Sequence, residues 1–155
     1  MNNEEVEQII RGYIPQVIHM SLATSKDNKP WVCEVHFAYD EALNLYFVSS
    51  KNRRHSQEIA VNPFVAGNIV TQHHKQQKVR GVYFEGEAKR LENVGEDHSG
   101  YRAYIDRLGG REGMLKEISQ DGATGLYQIT VSSFYLFDSY VSGRDKYQLS
   151  WGAKP

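Results

Sequence analysis

The chain has 155 residues, enough for one domain with a buried core. Lys plus Arg number 18 against 19 Asp plus Glu, a balance that excludes a generic polyanion binder, and no apolar run reaches the ~20 residues of a membrane span. A single cysteine, Cys33, excludes an internal disulfide, and the acidic start MNNEEVEQII lacks a basic-then-apolar leader pattern, so the expectation is one soluble, cytoplasmic domain over 1–155.

Val6, Ile9, Ile10, Tyr13, Ile14 and Val17 recur at helical spacing. They predict a first helix capped by Asn3, with Glu4 and Glu5 in its first turn and Pro15 stopping it near Tyr13 or Ile14. Ile18, Met20 and Leu22 then alternate with polar or small residues as in a strand, and KDNK at 26–29 is a turn signal. Trp31, Cys33, Val35, Phe37 and Tyr39 alternate through a long second strand, and a turn at 40–42 leads into a third that begins at Leu43. These three strands form an antiparallel meander.

The third strand runs through Ser49 and Ser50 into Lys51, Arg53, Arg54 and His55. A short helix follows, with Gln57, Glu58, Ile59 and Ala60, stopped by Asn62-Pro63 because proline disfavours helical geometry in the residue before it. The cations therefore crowd the helix end that already carries partial positive charge, at about 0.3–1 kcal/mol each when exposed. A bound anion reverses that sign: free backbone N–H groups, two hydroxyls and two guanidinium forks make a phosphate cradle. The alternative is a solvated basic turn.

Beyond it, residues 64–71 form a strand, 72–78 a polar loop, and 79–91 a strand whose Gly81 and Gly86 mark a bulge, a bend or a close neighbour. Residues 96–108 are helical and stop at Gly109-Gly110, and 111–118 form a further short helical turn. In the strand at 125–139 the apolar phase switches: Tyr127, Ile129 and Val131 share one parity, Phe134 and Leu136 the other. A bulge at Ser132-Ser133 restores a single inner face. Tyr147, Leu149 and Trp151 alternate in a last strand. About seven antiparallel strands with short helices favour a closed or split barrel, because closure removes exposed edges.

Several stretches, in this order, resemble the pyridoxamine phosphate oxidase-like split-barrel flavoproteins: MSLAT at 20–24, Pro30 opening a strand, LYFVS at 45–49, Arg53-Arg54-His55, EIAVNP at 58–63 and GEAKRL at 86–91. The resemblance implies a mainly β fold, the FMN-binding split β-barrel of antiparallel Greek-key type with flanking α-helices. It implies a homodimer holding flavin mononucleotide (FMN) at its interface, and an oxidoreductase acting on a small molecule, with no nucleic-acid or membrane partner. Carried over, Arg54 and His55 hold the phosphate where the family usually has arginine then lysine, and Arg53 stands where it often has serine. Ser49 and Ser50 lie beside the ribityl chain. Glu34, Val35 and His36, with Cys33, run along the flavin ring, and Trp151 reaches the ring from the partner subunit. Two departures separate the chain from true pyridoxamine phosphate oxidases: Ala38 stands where they carry a lysine, and GRDK at 143–146 where they carry an arginine–leucine–histidine motif. The closer likeness is to the general-stress and uncharacterised branches.

The remaining candidates are read from their types. His73 and His74 are adjacent, so on an extended chain they point apart and make a poor metal pair. Cys33 has no cationic neighbour in sequence and reads as a small apolar residue. Ten tyrosines exceed what the core requires and suggest an interface. Glu85 and Glu87 read as a solvated or interfacial face. A non-catalytic flavin sensor or carrier, a deazaflavin protein and a haem-binding split barrel are the other readings, the last disfavoured because no histidine follows His98.

Overall fold

The computed structural model describes residues 1–119, 122–140 and 146–152. Helix α1 (Asn3–Tyr13) is capped one residue earlier than expected: the Asn2 side chain accepts from the Glu5 N–H, and the Glu5 carboxylate accepts from the Asn2 N–H, a reciprocal capping box. Pro15 falls in a single 3-10 turn, Ile14–Gln16, which ends the helical segment. Strands β1 (His19–Lys26) and β2 (Lys29–His36) form a hairpin across Asp27 and Asn28, both at positive φ, the geometry that matches strand twist.

The expected long second strand is interrupted at Phe37. A separate two-residue strand, β3 (Ala38–Tyr39), pairs instead with β4 (Leu45–Ser50). The Phe37 N–H still donates to the Ile18 carbonyl at 3.2 Å, one step further along the β1–β2 register, and from Ala38 onward the partner changes from β1 to β4. Leu43 lies in the turn before β4 at φ +57° rather than in the strand. Helix α2 (Arg54–Val61), β5 (Phe64–Val70), β6 (Arg80–Arg90), α3 (Ser99–Leu108), α4 (Met114–Ile118), β7 (Thr124–Asp138) and β8 (Lys146–Ser150) follow.

Among the described residues, eight strands form one antiparallel sheet in the order β2-β1-β5-β6-β7-β4-β3, with β8 added to β7. The two ends of that path, β2 and β3, are joined through Phe37, so the sheet curls into a barrel, and among the described residues no ladder joins β2 to β4. This is a split barrel. The bulge expected in the long strand is present: Glu85 pairs with Ser133 and Gly86 with Val131, leaving Ser132 as the extra residue. Inside the barrel, Leu22, Phe37, Phe47, Phe84, Ile129 and Phe134 meet the Val6, Ile10 and Tyr13 face of α1. A smaller cluster of Ala38, Tyr46, Leu91 and Leu126 packs against α3 and α4.

Two glycines are dictated by close approach. A Cβ at Gly67 would lie 2.3 Å from the Ser21 carbonyl oxygen and 2.5 Å from the Phe84 ring, and one at Gly86 would lie 2.2 Å from the Thr130 carbonyl oxygen. Among the described residues, no helix is long and apolar enough to cross a membrane.

Candidate functional site

Where the barrel is split, a groove of about 700 Å³ runs between β2, β4, the start of α2 and α3. Its lining includes Cys33, Glu34, Val35 and His36 from β2, Val48 and Ser49 from β4, Asn52 to His55, and Tyr104 from α3. The volume falls inside the ~300–1,000 Å³ typical of small-molecule sites.

One end is basic. Arg53 is the N-cap of α2 but its side chain makes no capping hydrogen bond. The N–H groups of Arg54, His55 and Ser56 therefore lack intrahelical partners, and the first regular bond runs from the Gln57 N–H to the Arg53 carbonyl. Arg54 is held from behind. Its Nε–H donates to Glu58 Oε1 at 2.9 Å, and its guanidinium carbon lies 4.5 Å from the centre of the Trp31 ring. Glu58 is buried, its side chain 6% exposed, and its other oxygen accepts from the Thr24 hydroxyl at 2.5 Å. These two hydrogen bonds, Thr24 first, hold the Glu58 carboxyl below its ordinary range, so it is ionised at neutral pH.

His55 plays a different part from its neighbours. It is 7% exposed, and both ring nitrogens are engaged: Nδ1 lies 3.3 Å from Cys33 Sγ and Nε2 2.7 Å from Ser49 Oγ. The imidazole thus ties β2 to β4 across the split. Burial, then the Arg53 charge, lowers its pKa, opposed by Glu58. It is therefore neutral at pH 7, and what it offers an anion is its backbone N–H rather than a ring charge. Burial, with the Glu34 charge, raises the Cys33 pKa, so the thiol is protonated.

Of the residues singled out in sequence, Glu34, Val35, His36, Ser49, Arg53, Arg54 and His55 are brought together on this groove. Ser50 is not among its lining residues; its hydroxyl accepts from the Asn52 N–H in the following turn. Trp151 lies elsewhere in its own chain. Its ring meets Phe134 edge-on at 5.3 Å, Arg11 stacks over it at 5.1 Å, and its Nε1–H donates to the Ala42 carbonyl at 2.7 Å. Its expected role concerned a partner's groove. His73 and His74 belong to no metal-binding group among the described residues. His73 instead pins its loop, with Nδ1 2.6 Å from the Thr71 carbonyl and Nε2 accepting from the Arg80 N–H. Sequence reasoning missed Trp31, Val48, Asn52 and Tyr104. In the helix expected at 96–108, Tyr104 shares a face with Tyr101, Ile105 and Leu108, and nothing in that spacing distinguishes a groove wall from a core residue.

A sequence profile described as pyridoxamine 5'-phosphate oxidase matches residues 5–138. The chain belongs to that family. A UPF0306 protein of Photorhabdus laumondii is 30% identical over 93 residues, which are 59% of this chain and 65% of that protein. The match thus spans somewhat less than two thirds of that relative. Among solved structures, ChuZ of Campylobacter jejuni superposes with a TM-score of 0.75 at 17% identity, covering 97% of this chain and 61% of that one. HutZ of Vibrio cholerae, described as a haem storage protein, gives 0.65 at 18% identity and covers 94% of each chain. These likenesses show the split-barrel fold.

Membership of the family does not carry its founding activity. Ala38, standing where true pyridoxamine phosphate oxidases have a lysine, is fully buried in β3 and packs in the cluster with Tyr46 and Leu126, so this position supplies no cation to a substrate. Of the second departure, 143–145 lie outside the described residues.

Proposed function

We propose that the groove binds FMN and that the protein is an FMN-dependent oxidoreductase acting on a small molecule, with the groove completed by a second copy of the chain. The observation that carries this reading is the uncapped start of α2, where N–H groups without intrahelical partners and two arginines converge on one end of a ligand-sized groove. The residues suit the cofactor's parts. Arg53, Arg54 and the N–H groups opening α2 would hold the phosphate. The edge of β2 not paired with β1 offers backbone donors and acceptors to the polar rim of a flavin ring. Val35, Val48 and Tyr104 supply apolar walls. Bound flavin would supply hydride or electron transfer; the chain's part is to orient it and to exclude water. No side chain in the groove needs to act as nucleophile.

The homodimer reading draws on the outer face of the sheet. Val32 is 61% exposed and Phe64 66%. Val32 pairs across strands with Ala23, Ala23 with Ala66, and Phe64 lies two residues from Ala66 on the same face. Burying this apolar strip, which begins beside the groove on β2, favours association of two copies.

The test is a visible spectrum of the purified protein with mass identification of any released chromophore, followed by titration with FMN. A flavin spectrum, or FMN binding at about 1 µM or tighter, is the expected result. Failure of the wild-type protein to bind FMN rejects the reading, and a Soret band on adding haemin would replace it with a haem-binding one. Reduction of bound flavin by NADH or NADPH, with turnover to an acceptor, separates an enzyme from a flavin carrier.

A further inference from the structure

Arg54 and Glu58 are arranged against the interests of the helix that carries them. An i,i+4 ion pair helps a helix most when the acid precedes the base, and here Arg54 opens α2 and Glu58 follows. Glu58 is moreover buried while Arg54 is half-exposed, so desolvation of the carboxylate offsets part of the attraction. The pair is explained by what it does to the guanidinium. Glu58 takes the Nε–H of Arg54, and Thr24 fixes the carboxylate by occupying its second oxygen. Trp31 lies against the guanidinium. Thr24 and Trp31 are directly paired across β1 and β2, so one cross-strand pair anchors both contacts. Among the described residues nothing accepts from Nη1 or Nη2, which leaves four of the five N–H donors of a groove-lining arginine available.

We propose that Glu58, Thr24 and Trp31 are positioning residues that hold the Arg54 fork in place for bidentate recognition of a ligand phosphate. The proposal rests on the reading of the groove as an FMN site and concerns which residues set its preference for a phosphorylated ligand. A fixed fork loses less freedom on binding than a mobile one, and that advantage is specific to the phosphate.

The decisive variant is Glu58→Gln, because two explanations predict opposite signs. If Glu58 acts only through its charge, removing a negative group beside the arginine makes the site more positive and tightens FMN. If it positions Arg54, loss of the charge-assisted bond frees the fork and weakens FMN. The measurement is the ratio of FMN to riboflavin affinity, by fluorescence titration of the full chain. Riboflavin lacks the phosphate, so general damage to the groove lowers both affinities and leaves the ratio unchanged. The expected result is a fall in the ratio by about tenfold in Glu58→Gln, the size of one hydrogen bond to a charged group. Thr24→Val should lower it in the same direction and Thr24→Ser restore it. Trp31→Leu, a partly exposed site, tests the stacking contact with little risk to folding. A wild-type preference for FMN that persists or grows in Glu58→Gln, with Trp31→Leu also unchanged, overturns this proposal and leaves the FMN reading standing. A wild-type chain that does not bind FMN overturns both.

Discussion

At the scale of single residues, the groove divides its cationic cluster into different jobs. Arg54 presents N–H donors outward while its Nε is anchored by Glu58. Arg54→Ala should therefore weaken FMN by about 10- to 100-fold, the range for losing hydrogen bonds to a charged group. It should change riboflavin affinity by less than about threefold, on the same scale, because no phosphate contact is lost. Calorimetric titration with the two ligands checks this, and equal losses for both would place the arginine outside the phosphate contact. His55 is buried between Cys33, Ser49 and Phe47, with Arg53 and Glu58 as its charged neighbours. Its folded-state pKa lies below the ordinary histidine value of about 6.5. Between those two values the unfolded chain binds the extra proton, so stability rises with pH through that window. The contribution is complete above the unfolded value and is lost as pH falls through the folded one. Denaturant midpoints across pH 5–8 should show this slope, and His55→Gln should flatten it. The Glu58 contribution shares the sign, but its window lies lower, below the ordinary glutamate pKa, so the two can be told apart.

At the scale of elements, two glycines make opposite predictions. Gly12 lies in the last turn of α1, and an alanine methyl there would meet nothing within 4 Å, so Gly12→Ala should stabilise by about 0.5–1 kcal/mol. Gly67 faces a β1 carbonyl and the Phe84 ring, so Gly67→Ala should destabilise by about 2–3 kcal/mol, lowering Tm by roughly 5–10 °C. Thermal melts of the two variants decide both. The bulge shows what was readable in the chain. Ile129 and Phe134 cannot share one inner face without an extra residue between them, so the parity switch revealed the bulge at Ser132, although not the Glu85/Gly86 step it faces. The break at Phe37 was not readable, because alternation runs unbroken across it while the partner strand changes from β1 to β4. The basic start of α2 was visible as a local cluster. The groups that organise it were not: Thr24 lies 34 positions from Glu58, and Cys33 22 from His55, so only the folded sheet brings them together.

At the scale of the whole molecule, the exposed apolar strip on the outer sheet face bears on assembly. Under the homodimer reading, Phe64→Glu places a charge in the interface, so the variant should elute as a monomer by light-scattering chromatography and lose FMN affinity with it. An unchanged mass would move the interface elsewhere. Strands β2 and β4 flank the groove yet, among the described residues, share no ladder, and the Cys33, His55 and Ser49 side chains do the fastening there. An occupant in contact with both walls would act as stitching along an otherwise open seam. Saturation with ligand should therefore slow amide hydrogen exchange most in the β2 segment 31–35 and at the start of α2, leaving the β6–β7 ladder on the far wall at its ligand-free rate.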